Sequence, residues 1–148
     1  MPGSATRLPS AAGRRTGYGA AIVVNAALLL AANVWPGWEV LPFLTADTTR
    51  VLGLVNLALV AGIVVNAVYL VNDRPAVRAL GDLLTTAVGL AAVIRLLQVF
   101  PFDFPGTGFD WAVLARVLLV LGVVGASVAV VVAAVSLVRA LAGRSPRG

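Results

Sequence analysis

Four long apolar runs, each almost free of charge, constrain this chain more than any other feature. They cover about Tyr18–Trp35, Val51–Val71, Ala76–Phe100 and Trp111–Leu141. A helix needs roughly 20 residues, rising about 1.5 Å each, to cross ~30 Å of hydrocarbon, and every run is long enough. Composition closes off the soluble alternative. Hydrophobic residues make up 60% of the 148 and charged residues 11%, so the apolar surface exceeds what one domain of this length can hide. The expected fold is all-α: an integral membrane four-helix bundle.

Charge placement sets the expected orientation. Arg7, Arg14 and Arg15 precede the first run, Arg74 and Arg78 lie between the second and third, and Arg139, Arg144 and Arg147 end the chain. The other two connections carry Glu39, Asp47, Asp103 and Asp110 with only Arg50. Arg gathers on the cytoplasmic side of membrane helices, which predicts both termini and the middle connection inside. Residues 1–17, rich in Pro, Gly, Ser and Arg, are expected to be a disordered cytoplasmic segment, and 142–148 a cytoplasmic tail. Residues 18–141 form the transmembrane domain. The first run resembles a signal sequence in plan, but it ends in Leu30-Ala31-Ala32-Asn33, a poor cleavage site, so a retained helix is expected. The eleven basic residues are all Arg. With the heavy use of Ala, Val and Gly, this points to a GC-rich genome and a bacterial plasma membrane.

The connections carry their own signals. Asn72-Asp73-Arg74-Pro75 is a tight turn, with Asp73 near a helix N-terminus and Pro75 in the first turn, so the second and third helices should form an antiparallel hairpin. The outer connections look alike. Asn33-Val34-Trp35-Pro36 matches Gln98-Val99-Phe100-Pro101 in chemistry, and Asp47 and Asp110 each stand where a cap of the next helix is needed. Two tandem hairpins related by an axis along the membrane normal would explain this. The same pattern arises wherever a helix leaves a bilayer through aromatics and Pro. All three Trp and all five Phe fall in or beside these outer connections. An interfacial anchor accounts for that, as does an apolar lid made by the loops folding onto the bilayer or onto each other.

Three groups of residues invite a functional reading. On the fourth helix, Ala115, Gly122, Ala126, Ala129, Ala133, Ser136 and Ala140 follow steps of seven, then four and three in alternation, which keeps them on one left-handed seam. Small side chains let helices approach closely in lipid, within the bundle or in an oligomer. At the outer ends, Asn33, Arg95, Gln98 and Arg116 form a candidate cluster for a lipid headgroup or small polar solute. Snorkelling to headgroups and pairing with loop carboxylates explains the same residues. Asp82, the one acidic residue within a span, stands about two turns in, beside Thr85 and Thr86. It suits a coupling carboxylate in a carrier, or an i,i+4 ion pair with Arg78.

Other chemistries lack their residues. There is no Cys and no His, which removes thiolate and imidazole ligands and His-based acid–base catalysis. No Gly-rich phosphate loop or nucleophile elbow is present, so neither an enzyme nor a cofactor is expected. The net charge of +5 lies in residues flanking apolar runs, facing lipid headgroups rather than nucleic acid. The expected function is structural or accessory, binding another membrane protein or lipid, with homo-oligomerisation open. A small oligomeric carrier or channel for a polar solute or cation is the alternative.

Overall fold

The computed structural model describes residues 10–106 and 108–143. Its four helices are α1 (Ala11–Asn33), α2 (Thr49–Val71), α3 (Pro75–Val99) and α4 (Trp111–Ala142), all long and apolar enough to cross a membrane. Among the described residues the only β-pairing is one isolated bridge.

Local chemistry explains the helix ends. Ser10 caps α1 by accepting from the Gly13 amide at 3.1 Å. That cap starts the helix at Ala11, earlier than the expected Tyr18, and makes residues 11–17 helical where disorder was anticipated; residues 1–9 lie outside the described part. Pro75 occupies the first turn of α3, where its missing amide costs nothing. Asp110 caps α4, accepting from the Val113 amide at 3.1 Å. Asp47 does not cap α2. It lies in a short 3-10 turn, Ala46–Thr48, that runs directly into the helix, and it pairs instead with Arg50 at 3.8 Å.

Each helix packs chiefly on its chain neighbours, α1 on α2, α2 on α3 and α3 on α4, and α1 has no comparable packing with α4. The bundle is therefore open. Small residues make its contacts: Ala76, Ala79, Ala92 and Ala133 are among the few buried side chains. A close approach is at Gly81 on α3, where an added Cβ would run into the Tyr69 hydroxyl and lie 2.6 Å from Val65 Cγ1. Gly62 plays the same part under the Asn25 amide, with a Cβ there 2.9 Å from its nitrogen. In lipid, where apolar burial gives little drive, such contacts supply much of the attraction between helices.

The start of α1, the end of α4 and the α2–α3 turn lie at one end of the molecule, here the terminal end. The α1–α2 and α3–α4 connections meet at the other, the loop end. They pair there: Thr45 N–H donates to Pro101 O at 2.9 Å, Asp103 N–H to Phe43 O at 2.8 Å, and Leu44 bridges Phe102. The two connections are not structurally equivalent. Pro101 is fully buried behind Phe100, whose φ of 45° is left-handed, whereas Pro36 is exposed and Trp35 is 80% accessible. The matching tetrapeptides therefore do not occupy matching environments.

Candidate functional site

Polar chemistry concentrates at the terminal end, around Asp73. Arg14 and Tyr18 stand four residues apart on α1 and so share a face. Arg14 Nε donates to Asp73 Oδ2 at 2.8 Å and the Tyr18 hydroxyl to Oδ1 at 2.7 Å. Arg78 Nε from α3 lies 3.2 Å from Oδ1. The hydrogen bonds from Arg14 and then Tyr18, helped by the charges of Arg14 and Arg78, outweigh partial desolvation and hold the Asp73 carboxyl below its usual range.

Tyr69, buried on α2, extends the cluster. Its ring tilts against Tyr18 at 5.2 Å, and its hydroxyl lies 2.8 Å from Asp82 Oδ1 and 2.9 Å from the Arg78 carbonyl. One phenolic proton serves both acceptors. Asp82 itself is exposed. With Arg78, Ala79 and Pro75 it faces Ser136 and Ala140 of α4 across a crevice of about 250 Å³. The expected Arg78–Asp82 pair is thus not formed. Helical side chains lean toward the N-terminus, which turns Arg78 toward Asp73 in the preceding turn.

At the loop end the predicted cluster is not assembled. Asn33 exchanges two amide hydrogen bonds of 2.8 Å with Asn56. Arg116 places its guanidinium 4.0 Å from the Phe100 ring centroid, a cation–π contact in place of an ion pair. Among the described residues Arg95, half-buried, and Gln98, exposed, have no hydrogen-bond or ion-pair partner. Aromatic contacts continue from Phe100 through Phe102 and Phe104 to Phe43, with centroids 5.3–6.1 Å apart.

Beneath the paired loops lies a second cavity, of about 480 Å³, between the ends of α1 and α2. Leu28, Trp38, Leu44, Thr48, Val51 and Phe102 are among its walls. Thr48 is 6% exposed, and its hydroxyl is buried without a hydrogen-bond partner.

The fourth-helix seam divides. Gly122 and the buried Ala133 face α3, with a Cβ on Gly122 3.4 Å from Val93, and Ser136 and Ala140 edge the crevice. Ala115 and Ala126 are half-buried, whereas Ala129 is exposed.

Sequence reasoning missed the Asp73 cluster and the loop-end cavity. A signal for the first was available: Tyr18 and Tyr69 are the only Tyr residues, and both lie near the Arg-rich end. The cavity left no such trace, because it depends on how two loops pair. No protein-family model matches the chain, and neither a curated protein nor a solved structure does.

Proposed function

We propose that this chain is an accessory membrane protein. It spans a bacterial plasma membrane four times with both termini in the cytoplasm, and it binds another membrane protein. The observation that carries this reading is the state of α4. Its 32 residues pack chiefly on α3, only Ala133 is buried, and the small residue Ala129 is exposed. A small residue on a lipid-facing surface lets another helix approach to backbone distance.

Polar groups within the spans support binding over transport. Asn25, Asn66, Thr85 and Ser127 each donate back to a carbonyl of their own helix, and Asn33 and Asn56 satisfy one another. Groups so engaged offer little to a passing solute. Asp82 and its crevice stand near one end of the bundle.

The test is a mild-detergent purification of the tagged full chain from its own membranes, with mass spectrometry of what is retained. A membrane protein retained at fixed stoichiometry, and lost on Ala129→Leu, supports the reading. A chain that purifies alone and conducts a cation flux abolished by Asp82→Asn overturns it in favour of a carrier.

A further inference from the structure

We propose that the crevice between α3 and α4 receives a cation from the membrane partner: a Lys or Arg near the cytoplasmic end of the partner's helix, paired with Asp82. The proposal rests on the accessory reading above and names the chemistry of that partner.

Unbalanced charge is the first observation. A carboxylate within a span is costly, and such groups normally turn inward or pair with a cation. Asp82 does neither. It is the eighth residue of α3, about 10 Å from the start of that helix at 1.5 Å per residue, and it is exposed. Its one side-chain partner among the described residues is neutral: the Tyr69 hydroxyl, 2.8 Å from Oδ1. Arg78, one turn away on the same helix, stands instead 3.2 Å from Asp73, a carboxylate it shares with Arg14. Two guanidinium groups thus serve Asp73 and none serves Asp82.

The crevice is the second. At about 250 Å³ it is smaller than the roughly 300–1,000 Å³ of small-molecule sites, with room for the end of one long side chain. Ala79 on α3 and Ala140 on α4 keep its walls low. Ser136 lines it from α4, and its hydroxyl has no hydrogen-bond partner among the described residues. That oxygen and the open Oδ2 of Asp82 are both acceptors, and an ammonium or guanidinium brings donors to each.

The surrounding charges decide the direction of approach. Arg78 lines the crevice one turn nearer the terminal end, and Arg74 and Arg139 stand exposed at that end. A free cation entering from the water meets their repulsion. A cation carried on a neighbouring helix arrives sideways, in the plane of the membrane, at the depth of Asp82. Ala129, where the partner is placed, precedes Ser136 by seven residues, or two turns, so a helix lying along that face reaches the crevice. In the proposed orientation this is the cytoplasmic end, where membrane helices carry their Lys and Arg.

The test places a photo-reactive residue at Ala129 of the full-length chain in its own membranes, and mass spectrometry identifies the cross-linked peptide. The expected adduct is with a membrane helix carrying Lys or Arg within about two turns on the cytoplasmic side, the rise from Ala129 to the crevice. Asp82→Asn keeps an acceptor for Tyr69 and removes the charge, so adduct yield should fall about tenfold or more, whereas Asp82→Glu should retain it. Asp82→Arg should abolish the adduct, and changing the partner's cation to Asp should restore it. That swap keeps the test decisive even where Asp82→Asn weakens the fold. An adduct of equal yield in Asp82→Asn, a cross-linked helix without a cation at that level, or a swap that restores nothing overturns the inference and leaves the accessory reading standing. Absence of any protein adduct at Ala129 removes the accessory reading, and this inference with it.

Discussion

Asp73 is a single part-buried turn carboxylate on which α1 and α3 converge, and its protonation should loosen the terminal end. The sign follows from the direction of its shift. Its pKa is held below the ordinary carboxylate value of about 3.9, so the stabilisation it gives is complete above that value and is lost as pH falls through the lower, folded one. Melting temperature in detergent should therefore drop below about pH 4 in the parent and drop less in Asp73→Asn, which starts lower at neutral pH. A parent and variant with the same pH profile would remove Asp73 from this role. Gly81 offers a test by volume. An Ala there gains up to about 1 kcal/mol of helix propensity, while overpacking costs roughly 1–3 kcal/mol. Tyr69 is fixed by two acceptors and the Tyr18 ring and cannot move aside cheaply, so the overpacking cost should prevail. Gly81→Ala should melt below the parent; an equal or higher melting temperature would show that Tyr69 yields.

Between helices, the account separates two small residues of the same seam. Ala133 is buried against its neighbours, so Ala133→Leu should destabilise the isolated protein by about 1–3 kcal/mol. Ala129 is exposed, so Ala129→Leu should leave that stability nearly unchanged and act only where a partner is present. Thermal melting of both variants in one detergent distinguishes the sites, and equal losses would contradict the assignment. The helices themselves were legible because twenty-residue apolar runs leave few alternatives. The start of α1 was not: Arg14, Arg15, Gly17 and Gly19 obscure it, and Ser10 is a modest cap signal. The binding features were less legible still. Asp73 gathers partners from α1 and α3, whose relative register no spacing rule gives, and Arg116 lies over the Phe100 ring rather than in an ion pair. The seam was readable as a repeat, but which members face α3 depends on the crossing of two helices.

As a whole, the molecule has two unlike ends. Arg14, Arg78 and Asp73, with Tyr18 and Tyr69, tie α1, α2 and α3 together at the terminal end; aromatic loops pair over a cavity at the opposite end. The Arg distribution is the basis for the proposed orientation, with the terminal end in the cytoplasm. The chain has no native Cys, so single cysteines at Ser10 and Asp103 report its topology cleanly. An impermeant maleimide added to intact cells should label Asp103→Cys and spare Ser10→Cys, and the reverse labelling would invert the orientation. The open side of α4 is where the account places a partner, and a photo-reactive residue at Ala129 tests that most directly. Illumination in native membranes should give one discrete protein adduct, absent when the same group replaces the buried Ala76. Adducts with lipid alone would contradict the accessory role.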